Sequence, residues 1–239
     1  MRRSAAVGVK SRWRPLPRGD RQVARRTFEA GVEARPLWKP PYGGLLVAVL
    51  LAGCAAMRGA PPVRTYRLAY QPPQPERSTP LPVTIRVVPF GIASAYDRAA
   101  FVYRAGPYDV GIDPYNEWIS NPSSMLADLL ARDLAASRLV QAVLQGPSAL
   151  PADYELNGQI ETFEERDEDG GCTAHVRVRV LLAQSPTRGT RRVVLQQSLA
   201  ADEPCTRGDP ESYVAAMSRA VQRLSDEIRA VIRASLESA

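Results

Sequence analysis

Cys172-Thr173-Ala174-His175-Val176-Arg177-Val178-Arg179-Val180-Leu181-Leu182 alternates with the two-residue period of a β-strand buried on one face. Ala174, Val176, Val178, Val180 and Leu182 form the buried face, and His175, Arg177 and Arg179 the polar one. Outward from this run, residues 185–189 read as a connection and 193–199 as an antiparallel partner strand. Residues 154–165 read as the preceding strand, with a turn over 167–171. The three strands make a β-meander. Asp209-Pro210 then has the form of a helix cap and first helical residue. Val214, Met217, Val221, Leu224, Ile228 and Val231 recur at helical spacing, so a long amphipathic helix closes the domain and packs its stripe on the sheet.

Upstream, Thr65 to Tyr70 alternates like a short strand, and the five prolines between Gln71 and Pro82 mark a loop. Val83, Ile85 and Val87 predict a strand that stops before Pro89, and Phe101 to Arg104 another. Tyr108 to Trp118, rich in Gly, Pro, Asp and Asn, reads as a structured loop. A second helix starts at Ser120 or Asn121 with Pro122 in its first turn, and shows Leu126, Leu129, Leu130 and Leu134 on one face as far as Val140. The expected fold is therefore α/β (α+β): a single domain, mostly antiparallel sheet, with two main helices packed on it.

The charge is unevenly placed. The 239-residue chain carries a formal +6, but residues 1–53 hold eleven Lys or Arg against Asp20, Glu29 and Glu33. The remainder has 20 basic and 22 acidic residues, so the domain itself is not basic and the composition gives no support to a nucleic-acid partner. After the basic stretch come Gly43-Gly44, the apolar run 45–51 and Leu51-Ala52-Gly53-Cys54. A basic region, a brief apolar region and small residues at a cut site are the parts of a secretory signal, and the apolar run is shorter than the roughly 20 residues needed to span a bilayer. Leu-Ala-Gly-Cys resembles the lipobox of bacterial lipoproteins, in which the cysteine is lipidated and becomes the first residue of the mature chain. The expected division is a signal peptide over 1–53, a flexible tether over 54–63 and the domain over 64–239. The leader is longer than an ordinary signal, and an internal start at Val32 or Leu37 would restore the usual length. Ala55 stands where an aspartate would retain such a protein on the inner membrane, which favours the periplasmic face of the outer membrane.

In an exported chain the two further cysteines test the hairpin register. A connection at 185–189 makes facing residue numbers sum to about 374, which puts Cys172 opposite position 202 and close to Cys205. Either these two form a disulfide, stabilising by about 3 to 4 kcal/mol for a loop of that size, or they remain thiols at a frayed hairpin end.

Catalytic chemistry is not evident. His175 is the only histidine, and its place on the polar face among arginines predicts a solvated residue rather than a general base. No HExxH motif, CxxC pair or phosphate-binding glycine loop occurs, and the six acidic residues of 161–169 read as a solvated hairpin tip rather than a cation site. No enzyme activity, metal or cofactor is expected beyond the covalent lipid on Cys54. Tyr96, Phe101, Tyr103, Tyr108, Tyr115 and Trp118 concentrate in one third of the domain, as core or as a partner-facing surface.

Taken in order, residues 83–89, Tyr96-Asp97-Arg98, Val102-Tyr103-Arg104 and Tyr115-Asn116-Glu117-Trp118 resemble the auxiliary lipoproteins of ABC-type lipid transport systems, the PqiC-type family. Tyr154-Glu155-Leu156, Phe163-Glu164 and the 213–228 helix with Met217-Ser218 are similar to the same family. Phe90-Gly91-Ile92-Ala93 departs from its pattern. The resemblance implies a domain without a catalytic centre, tethered at the outer membrane, whose partners are an ABC permease and ATPase and a periplasmic MCE-domain protein. It leaves a homo-oligomer open. Tyr96, Asp97, Arg98, Arg104 and Trp118 match the family's pattern and are the candidate partner-binding residues, with loop ordering as the competing role for Asp97 and Arg98. The rival reading is an envelope lipoprotein that activates or stabilises a cell-wall or outer-membrane assembly machine.

Overall fold

In the computed structural model the chain runs β1 (Arg64–Tyr66), β2 (Leu81–Val87), β3 (Gly91–Ile92), β4 (Ala100–Arg104), β5 (Val110–Trp118), α1 (Pro122–Ser137), β6 (Val140–Gln145), β7 (Tyr154–Arg166), β8 (Cys172–Gln184), β9 (Val193–Cys205) and α2 (Pro210–Glu237). The structure describes residues 61–146, 149–167, 170–185 and 192–238. The expected signal peptide, Cys54 and most of the tether lie outside the described residues, as do Glu168, Asp169 and most of the 185–189 connection.

The meander is present. β8 pairs antiparallel with β7 from Tyr154↔Gln184 to Arg166↔Thr173, and with β9 from Cys172↔Cys205 to Ala183↔Val193. On β8, Ala174, Val176, Val178, Val180 and Leu182 are all fully buried. The register differs from the expected one, because Cys172 faces Cys205 directly and not position 202. β8 continues to Gln184 and β9 begins only at Val193, so the hairpin is centred later than assumed, and a bulge near Leu182/Ala183 adds to the offset. The two cysteines form a disulfide with Cα atoms 4.9 Å apart.

The other edge of β7 is shared. β2 pairs with its first residues, β3 with Gln159 and Ile160, and β4 with its end, all parallel to it. β6 adds in parallel outside β2, while β5 adds antiparallel outside β4 and carries β1. The result is one nine-stranded sheet among the described residues, antiparallel in the β7–β8, β8–β9 and β4–β5 ladders and parallel in the others. Two elements correct the sequence reading. The expected loop over 108–118 is strand β5, which accommodates Pro114 because Asp113 Oδ1 accepts from the backbone N–H of Tyr115 (2.7 Å) and Asn116 (3.1 Å) where the ladder shifts register. The helix expected to reach Val140 ends at Ser137, since Arg138 adopts a left-handed φ of 53° and Val140 opens β6.

Both helices start as their sequences predict. Asn121 accepts from Ser123 N–H ahead of Pro122, and Asp209 accepts from Glu211 and Ser212 N–H ahead of Pro210. Tyr213, Met217, Leu224, Ile228 and Ile232 of α2 bury their stripe against Val176, Val178 and the rest of the core. The helices are tied together by Asp133, only 1% exposed, which accepts from Tyr70 Oη (2.8 Å) and Ser225 Oγ (2.7 Å). Gly158 is required where it is, because a Cβ there would collide with the ring of Phe90.

The disulfide closes a loop spanning 33 positions, so replacing Cys172 and Cys205 together by alanine is expected to lower the unfolding free energy by about 3 to 4 kcal/mol. Denaturant melts with and without reductant check this, and a wild-type midpoint unmoved by reductant would count against it.

Candidate functional site

The pattern of β7 and β8 breaks at one point, and a charged cluster forms there. Ile160 pairs with Val178, but Thr162 pairs with Arg177, so Glu161 is an extra residue. Before the bulge Leu156 and Ile160 face the core; beyond it Phe163 does, opposite Val176. The shift turns Glu164 to the outer face opposite His175, which in turn lies opposite Asp202 of β9.

Glu164 is buried, its side chain 3% exposed, and its charge is answered from three directions. It accepts from Tyr96 Oη (2.6 Å) and pairs with Arg104 Nε (3.2 Å) and Arg166 Nε (3.0 Å). Burial first, and then the Glu164 carboxylate, push the Tyr96 phenol well above its ordinary pKa, so it stays a donor. His175 corrects its expected exposure: it lies on the outer face but is buried at 2% exposed, with Nδ1 2.6 Å from Asp202 Oδ1. Desolvation lowers its pKa, partly opposed by Asp202, and keeps the imidazole neutral at pH 7. Its Nε2 is buried without a hydrogen-bond partner among the described residues.

The candidate partner-binding residues separate. Tyr96 and Arg104 meet on Glu164. Asp97 accepts from Asn121 Nδ2 (2.7 Å) and orients the residue that caps α1, which is the loop-ordering role. Arg98 is partly buried beside it. Trp118 is a correction, because it is 2% exposed in a core cluster with Phe101 (ring centroids 4.5 Å), Phe163 (5.4 Å) and Tyr213 (5.8 Å) and offers no surface to a partner. The aromatic third of the domain is thus divided: Phe101 and Trp118 fill the core, Tyr96 joins the polar cluster, and Tyr103, Tyr108 and Tyr115 are exposed. Glu164, Arg166, His175 and Asp202 were missed as a group. Their pairwise opposition depends on the bulge, and Phe163-Glu164 was the only trace of it.

Three of the described acidic residues of this stretch pair with arginines. Glu161 pairs with Arg179, Glu164 as described, and Asp167 with Arg207 (3.3 Å). Glu165 points into the domain near the Cys172 and Cys205 sulfurs, which are bonded to each other. Burial, and then the charges of Asp167 and Asp113, push its carboxyl up to about 7.

The family model for the ABC-type transport auxiliary lipoprotein component matches residues 66–229. The chain belongs to this family. As an auxiliary lipoprotein it takes part in ABC-type transport together with transporter subunits. Its fold is similar to the crystal structure of a Xanthomonas campestris protein assigned to the DUF330 family (19% identity, 73% of this chain and 98% of that chain, TM-score 0.65). It is also similar to an uncharacterized protein of known structure (16% identity, 72% and 99%, TM-score 0.56). No curated protein matches the sequence significantly.

Glu165 gives the auxiliary lipoprotein a pH dependence of definite sign. Its folded pKa of about 7 lies above the ordinary 4.5, so the folded state holds the extra proton and its stability falls as pH rises from about 4.5 through 7. His175 acts oppositely, since its lowered pKa costs stability as pH falls below about 6.5. Glu165→Gln is expected to flatten the first slope and to gain on the order of 1 kcal/mol at pH 8, the carboxyl keeping part of its hydration. Urea melts between pH 4.5 and 8 test this; an unchanged slope in the variant would contradict the assignment.

Proposed function

We propose that the protein is a lipid-anchored auxiliary subunit of an ABC/MCE-type lipid transport system. It is held on the periplasmic face of the outer membrane by lipid on Cys54 and acts by docking to an MCE-domain partner. The observation that carries this reading is the family match over residues 66–229, nearly the whole of the described domain. The cluster around Glu164 fits this reading, because Tyr96, Arg104 and Arg166 all bind the Glu164 carboxylate and His175 binds Asp202, contacts that hold the domain together. The lipobox resemblance supplies the anchor, and two or more acyl chains make such attachment durable. Ala55 after the cysteine favours the outer membrane.

Two measurements on cells expressing the full precursor test this reading. Cys54→Ser is expected to move the protein from the membrane fraction to the soluble fraction, and wild-type protein extracted in detergent is expected to bring an MCE-domain protein with it. A Cys54→Ser precursor that fractionates as wild type does would overturn the anchor. Extraction without any MCE partner, in a strain encoding one beside this gene, would overturn the docking role.

A further inference from the structure

Exposed apolar side chains gather on the hairpin of β4 and β5. Tyr108 at its tip is 98% exposed, Val110 54%, Ile112 48% and Tyr103 37%. They occupy both faces. Tyr103 pairs with Gly111 and lays its ring over that residue, whose missing Cβ leaves the room. Val110 and Ile112 pair with Arg104 and Val102, and so project from the opposite face. A flat protein surface docking on one face would leave the other in water. A medium that surrounds the tip covers both, and tyrosine is the side chain favoured where that medium is the headgroup layer of a bilayer.

The path of the chain points the same way. β1 runs parallel to β5, with Arg64 opposite Asn116, so the polypeptide enters β1 from the side of the hairpin tip. Cys54 precedes Pro61 by seven residues, which span at most about 25 Å. Val110 precedes Asn116 by six residues on β5, or roughly 20 Å of strand. Measured from the same level, the ten residues from Cys54 to Arg64 span at most about 35 Å against roughly 20 Å of strand from Asn116 back to Val110, so the tether is long enough for the lipid and the tip to meet one membrane surface.

We propose that the β4–β5 hairpin is a second membrane contact, its tip resting in the phospholipid headgroup layer beside the lipid on Cys54. This rests on the Cys54 anchor proposed above. The exposed carboxylate of Asp109, next to Tyr108, keeps the tip at the interface and out of the hydrocarbon. One acyl anchor leaves a tethered domain free to tumble, whereas a second contact fixes which face it turns to its partner.

The test uses mature lipidated protein carrying Tyr108→Trp on phosphatidylethanolamine–phosphatidylglycerol vesicles. Leu150→Trp, at an exposed position before the opposite end of β7, is the control. The expected result is a blue-shifted emission at position 108 and iodide quenching there reduced by about half or more when vesicles are added, with position 150 unchanged. Equal quenching at both positions in protein that floats with vesicles overturns the hairpin contact and leaves the anchor intact. Protection of position 108 before vesicles are added assigns the tip to a second copy or a protein partner and also overturns it. Protein without diacylglyceryl mass on Cys54 that fails to float overturns the anchor, and the hairpin contact with it.

Discussion

β7 hydrogen-bonds along both edges, and the remaining elements are arranged to let it do so. A buried strand cannot leave N–H and C=O groups unpaired without a cost of roughly 1 to 3 kcal/mol each. β8 satisfies one edge over its length. The other edge is longer than any upstream strand, so β2, β3 and β4 take successive parts of it in chain order, all in the same direction. The segment joining β3 to β4 is thereby laid along β7, beginning with Ala93 N–H donating to Ile160 O (2.9 Å), and this brings Tyr96 to Glu164. The sheet's mixed direction and the charged cluster have one cause.

What was legible in the sequence follows from how local each signal is. The alternation of Ala174 to Leu182, the stripe of α2, and the caps at Asn121 and Asp209 are each encoded within a few residues, and each is found as read. β5 and β6 were missed for different reasons. Pro114, with Asp113 and Asn116, gives β5 the composition of a turn, and only its pairing with β4 and β1 makes it a strand. Val140 to Gln145 is short and follows the helix almost directly, so the apolar pattern of α1 extends as far as Val140, and the left-handed Arg138 marks the break between the two.

The polar cluster was less legible, because it depends on one extra residue. Strict alternation along β7 from Leu156 and Ile160 would send Glu164 into the core. The bulge at Glu161 sends it outward and turns Phe163 in toward Trp118. No local property of Glu161 announces a bulge. The burial of His175 is hidden from the sequence for the same reason: local alternation gives its face, but the partners that cover it are set by a register spanning three strands.

The worth of the cluster is positional more than energetic. Removing a carboxylate from water costs several kcal/mol, and pairing with Arg104 and Arg166 roughly offsets that cost, so replacing the whole group by apolar residues need not destabilise the domain. What the cluster does supply is a fixed path for residues 93–99. Tyr96 is held on β7, Asp97 as the next residue holds Asn121, and Asn121 holds the first turn of α1. Tyr96, Asp97 and Arg104 are therefore occupied within the domain. A partner that meets this region therefore meets the shape of the loop they hold, and a substitution at Tyr96 acts on it through Asn121 and α1.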